Sequence, residues 1–167
     1  MDKIIELYIQ KDSIDPRYQD RSELLKLEKN PKLIASNGVV YIYSLVNQTV
    51  NYPNRPGKTL YIGEAYRNGG LTGARFRHIS SDTLEANDSN SNWTLTTYYE
   101  NGLALKLVIY TVRLADERFV FESLLIKKHM VKYGCQPIAQ GSSGATNTPK
   151  KLMKAIQDAS LVKDIEL

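Results

Sequence analysis

Three groups of side chains in this 167-residue chain have types and spacing that could act together on an anionic ester. Tyr41, Tyr43 and Tyr61 lie in two short runs of β-branched and aromatic residues. Arg75, Arg77 and His78 fall within four residues, and Glu122 stands in a helix-like stretch beside Phe119, Leu125 and Ile126. A phenol titrates at about 10 in water and is a poor base at neutral pH unless a cation or guanidinium stabilises its phenolate. Arginine offers a planar fork matched to phosphate oxygens and stays charged at any working pH. A carboxylate on an apolar helix flank needs a partner. Glu122 can find one in Arg118 or a lysine, or in Mg²⁺, which keeps much of its water and takes one or two carboxylates. Hydrolysis of a phosphodiester asks for these three things: a base for water, positive charge where the phosphorane oxygens turn negative, and help for the leaving oxygen.

The elements that must position these groups are legible in part. Val39–Val46 reads as a strand, and Thr59–Gly63 as a second one that returns beside it after a long loop with two prolines. Alternation places Val39, Tyr41, Tyr43 and Leu45 on one face and Val40, Ile42 and Ser44 on the other. With Val40, Ile42, Leu60 and Ile62 in the core, the opposite face displays tyrosines and ends at Gly63, whose missing side chain permits close approach. A plain cross-strand aromatic packing pair explains the same tyrosines. Further on, the sequence predicts a short helix around Gly73–Ile79, a helix over Trp93–Glu100, a strand over Ala104–Arg113 and a helix over Glu117–Tyr133 capped by Asp116 and stopped by Gly134. A last helix starts at Thr148-Pro149. Residues 1–37 read as a helical extension with Leu24, Leu25 and Leu27 in a stretch closed by Pro31, residues 38–141 as the core, and 142–167 as a C-terminal helical extension. The expected fold is α/β of the α+β kind, a small, mainly antiparallel three-stranded sheet flanked by helices in one domain. Trp93, Tyr98 and Tyr99 read as core rather than a base-stacking platform. His129 lies two helical turns beyond Glu122, too far to share a metal ion with it, and reads as surface or packing.

Composition narrows the setting. Lys and Arg total 22 against 18 Asp and Glu, a net charge of +4 and a pI near 9.0, which favours a polyanionic partner. Lys58, Arg67, Arg77, Lys127, Lys128, Lys150, Lys151 and Lys154 could track a phosphate backbone. Cys135 is the only cysteine, so intrachain disulfides and multi-cysteine zinc cages are excluded and a reducing compartment is indicated. No apolar run suits a membrane span or a secretory signal, so the expected location is cytoplasmic. No GxGxxG follows a strand, which argues against a nucleotide-cradling loop.

In order along the chain, Val39-Val40-Tyr41, Leu60-Tyr61-Ile62-Gly63-Glu64-Ala65, Arg75-Phe76-Arg77-His78 and the glutamate of Glu122-Ser123-Leu124-Leu125 resemble the GIY-YIG nuclease superfamily, over about Gly38 to Gln140. The resemblance implies a GIY-YIG-like fold with Tyr41 as the first-motif tyrosine (Tyr43, on the same face, being its alternative), Tyr61 as the second, Arg75 as the helix arginine and Glu122 as the ligand of Mg²⁺ or Mn²⁺. It implies that Tyr61 or Tyr41 activates water while the other positions it. His78 would join the catalytic set, and Tyr43, Lys58, Gly63, Arg77 and Gln140 would contact the substrate. The activity implied is endonucleolytic hydrolysis of double-stranded DNA by a restriction-type enzyme, with a homodimer possible. The alternatives are a homing or repair nuclease, and a non-catalytic nucleic-acid-binding module on the same scaffold.

Overall fold

Strand β2 (Gly38–Leu45) carries Val39, Val40, Tyr41, Ile42 and Tyr43 in unbroken succession, all buried. Such a strand can only be central, with both faces covered. In the computed structural model, which describes residues 1–66, 79, 92–141 and 159–167, β2 lies between β5 (Thr59–Tyr66) and β6 (Leu105–Thr111), antiparallel to each. The connection from β2 to β5 holds a small ribbon of β3 (Val50–Asn51) and β4 (Pro56–Gly57).

The main sheet has four strands rather than the expected three, in the order β1-β6-β2-β5. The added strand, β1 (Asp2–Ile9), pairs antiparallel with β6 and lies inside the segment expected to be a helical extension. A bulge between Lys3 and Ile5 explains the difference. It turns Lys3 and Glu6, three residues apart, to one face, where they form an ion pair of 2.9 Å, and Tyr8 Oη donates to Glu6 over 2.9 Å. Ile5, Leu7 and Ile9 face the opposite core, so the sequence shows no clean alternation. The rest of the extension holds α1 (Glu23–Lys26), a 3-10 turn over Leu27–Lys29, and α2 (Pro31–Ile34). Pro31 opens α2 instead of closing a helix: Asn30 accepts from the Lys32 N–H, and proline is well suited to a first helical turn.

Two cores flank the sheet. On one face Leu24, Leu27, Tyr41, Tyr43 and Leu107 pack with Leu95 and Tyr99 of α3 (Trp93–Glu100). On the other, Val40, Ile42 and Ile62 pack with Phe121, Leu125 and Ile126 of α4 (Glu117–Tyr133). Leu60, expected beside Val40 and Ile42, joins the tyrosine side instead, because the pairing of β2 and β5 skips a residue between Tyr61 and Thr59. Asn92 caps α3 through the Leu95 N–H. At the start of α4 the Asp116 side chain makes no capping bond, and Glu117 instead ties down the preceding turn by accepting from the N–H groups of Arg113 and Leu114. Gly134, at φ 90°, ends the helix as expected. The helix expected from Thr148 and the one around Gly73–Ile79 lie outside the described residues, apart from the buried Ile79. Ala159–Val162 form a 3-10 turn, and Lys128 Nζ holds the tail by donating to the carbonyls of Val162, Lys163 and Ile165 at 2.8, 2.9 and 2.7 Å. Among the described residues no helix is long and apolar enough to cross a membrane.

Candidate functional site

Register sets the tyrosine cluster. Tyr41 stands opposite Gly63, and Tyr43 opposite Tyr61, so the phenols share a face. The Tyr41 and Tyr61 rings lie 6.0 Å apart at 34°, and Tyr43 meets Tyr41 edge-on at 6.4 Å. The end of the Tyr41 ring occupies the space over Gly63: a Cβ there would stand 2.5 Å from Cζ and Oη of Tyr41 and 2.7 Å from Cε1 of Tyr61. Tyr41 is 1% exposed and Tyr43 wholly buried, whereas Tyr61 is only partly buried. Tyr61 is therefore the ring that solvent reaches, and Tyr43, expected to contact substrate, packs behind Tyr41. Burial first, then Tyr61 and Tyr43, the hydrogen bond with Tyr61 and the charge of Glu122, hold the Tyr41 hydroxyl well above the ordinary tyrosine value of 10.0. Tyr43 is likewise pushed upward, by burial and then by Tyr61.

Glu122 lies in the middle of α4, 8% exposed, and its charge is the smallest of the influences that raise Tyr41. One turn earlier on the same stripe, Arg118 reaches Glu64 of β5, with Nε donating to Oε2 over 2.6 Å and both side chains about nine-tenths buried. Arg118 also donates to the Ala115 carbonyl over 2.5 Å. Glu64, to which the sequence assigns no role, is thus a partner of Arg118, for which Glu122 is one expected partner. The register that sets Glu64 opposite Val40, on the α4 face, together with the four-residue spacing of Arg118 and Glu122, was the signal for this pair. Among the described residues there is no group of three or more His, Cys, Asp or Glu that could hold a metal ion. A hard divalent cation that keeps its water needs only one or two carboxylates, and the largely buried Glu122 oxygen donor suits one.

Gln140 is committed to the sheet edge. Its amide accepts from the Ile62 N–H over 3.0 Å and donates to the Ile62 carbonyl over 2.9 Å, as another strand would, between Tyr61 and Gly63. Lys58 lies exposed on the far side of the β2–β5 hairpin, donating to the Val46 carbonyl over 2.7 Å. Arg75, Arg77 and His78 lie outside the described residues, as do Arg67, Lys150, Lys151 and Lys154. Of the aromatic residues expected in the core, Tyr99 is buried but Trp93 is 68% exposed. His129 is fully buried, packed against the rings of Tyr52 at 4.7 Å and Tyr133 at 4.5 Å. Comparison with protein-family models, curated proteins and solved structures finds no match for this chain.

Proposed function

We propose that the chain is a divalent-metal-dependent endonuclease of the GIY-YIG type that hydrolyses DNA phosphodiester bonds, of the site-specific restriction kind. The observation that carries this reading is the meeting of two phenols from neighbouring strands over a glycine; the charge of a largely buried glutamate on α4 adds a small further push on Tyr41. In this reading Tyr61, the accessible ring, loses its own proton to solvent and as phenolate takes the proton from the attacking water at Oη, returning to the phenol. Tyr41, which holds its own proton, donates to the Tyr61 oxygen, and a donated hydrogen bond stabilises negative charge there. Arg75 supplies the guanidinium for the phosphorane oxygens, with His78 beside it in sequence and Arg77 on the substrate. Glu122 would hold Mg²⁺ or Mn²⁺, which would supply positive charge at the reacting phosphate and acidify bound water. Arg118 and Glu64 fix the α4 stripe that carries Glu122 against β5.

Supercoiled plasmid incubated with Mg²⁺ tests the reading. Strand breaks are expected, with discrete bands if the enzyme reads a site. Glu122→Gln should reduce cleavage by at least about 100-fold while a mobility shift with the same DNA is kept. Unchanged turnover in that variant would remove the metal role from Glu122. A shift without any strand break in the parent protein would leave a DNA-binding module instead.

A further inference from the structure

We infer that Trp93 is a DNA-contacting residue at the rim of the tyrosine site, its indole stacking on a nucleobase; this deepens the nuclease reading and rests on it. Tryptophan is seldom left in water, since its large apolar surface makes burial favourable, yet Trp93 is 68% exposed. Its position explains why the core does not claim it. The face of α3 that meets the sheet is set by Leu95 and Tyr99, and at 100° per residue Trp93 points well away from both. The residue is nevertheless tied to the site. Its neighbour Asn92 donates to the Ala139 carbonyl over 2.9 Å, and Ala139 donates to the Leu60 carbonyl over 2.9 Å. Gln140, next in the chain, then brackets Ile62 between Tyr61 and Gly63. These bonds fix the start of α3 beside the outer edge of β5, along which Ala139 and Gln140 bond, on the side of the sheet where Tyr61 is accessible. Ile138, 49% exposed, stands on the same edge segment.

The occupant follows from chemistry. An exposed indole suits a flat, weakly hydrated π surface, and the chain's charge of +4 favours an anion that carries such surfaces. A nucleobase at an unstacked step satisfies both, and aromatic or apolar side chains at such steps contribute strongly to binding. Trp93 is the only tryptophan, so its emission reports this contact alone. DNA duplex added to the full-length protein without divalent metal, where no strand is cut, should quench that emission in step with the mobility shift. Trp93→Ala should weaken the shift about tenfold or more with an unchanged melting temperature, and Trp93→Phe should restore most of the affinity. If duplex binds while emission stays constant and Trp93→Ala binds as the parent does, the stacking role is overturned and the nuclease reading stands. If the parent protein binds no DNA, both fall.

Discussion

Gly63 decides what the two phenols can do. Because Tyr41 already fills the space where a side chain would sit, with its ring end 2.5 Å from where a Cβ would stand, Gly63→Ala forces one ring to move against a packed core. Overpacking of this kind costs about 1–3 kcal/mol, and here the strain falls on the groups assigned to proton transfer. A urea melt should show a loss in that range, and plasmid cleavage should drop far more than DNA binding does. Tyr41→Phe separates packing from hydrogen bonding at the same place. The ring stays and the donor to Tyr61 goes, so stability should change by only about 1 kcal/mol, while turnover falls with little change in DNA affinity. The shared face of Tyr41, Tyr43 and Tyr61 was legible in the sequence, because strand alternation leaves no freedom once the hairpin is recognised. How deeply each ring lies was not. Tyr43 and Tyr41 vanish beneath α3 and α1, elements whose docking no local pattern announces.

Among the elements, α4 and β5 are joined by a charge pair as well as by apolar contact. Arg118 and Glu64 are both nearly excluded from water, so each is costly to leave alone, and the mutual attraction of a buried pair mainly offsets its own desolvation. Arg118→Ala is expected to destabilise the protein by about 3–5 kcal/mol, because it removes a guanidinium that meets the Glu64 carboxylate at 2.6 Å away from water. Replacing the pair together, Arg118→Met with Glu64→Leu, should recover much of that loss. Chemical denaturation of the two single variants and the double one reads the coupling directly. If the double variant is stable but cleaves poorly, the pair serves to hold the Glu122 stripe rather than to hold the fold. The elements differ in how openly the chain declares them. The boundaries of α3 and α4 could be read from Asn101-Gly102, Asp116 and Gly134, although the Asp116 side chain makes no capping bond. By contrast, β1 was hidden by its bulge. Lys3 and Glu6 share a face only if one extra residue is accommodated between them, and their spacing resembles one turn of helix.

At the scale of the whole molecule, helices pack on both faces of the sheet, and the second core ends at a junction that depends on an uncharged histidine. There the β2–β5 loop meets the end of α4. Tyr52 Oη donates to the Thr59 carbonyl over 2.5 Å and accepts from the Ile138 N–H over 3.2 Å, and the Asn54 N–H donates to the Tyr133 carbonyl over 3.0 Å. His129 lies among them. Its Nδ1 donates to the Cys135 carbonyl over 2.7 Å, while Nε2 is buried with no hydrogen-bond partner among the described residues. Burial first, with a smaller push from Lys132 and against the pull of the Cys135 carbonyl, lowers its pKa from 6.5. The unfolded chain therefore takes up a proton on this ring at a higher pH than the folded one. Its contribution to stability is fully present above about 6.5 and is lost as the pH falls through the lower folded value, at no more than about 1.4 kcal/mol per pH unit. Urea midpoints measured from about pH 8 to about pH 5 should decline over the acid half of that range. His129→Phe keeps an aromatic ring between Tyr52 and Tyr133 but has nothing to protonate. It should start less stable, having given up the bond to Cys135, and then hold its midpoint where the parent's falls. A parallel decline in the variant would remove His129 as its cause; the carboxylates of Asp20, Glu6 and Glu100, whose pKa values are lowered, lose their own contributions only at more acidic pH.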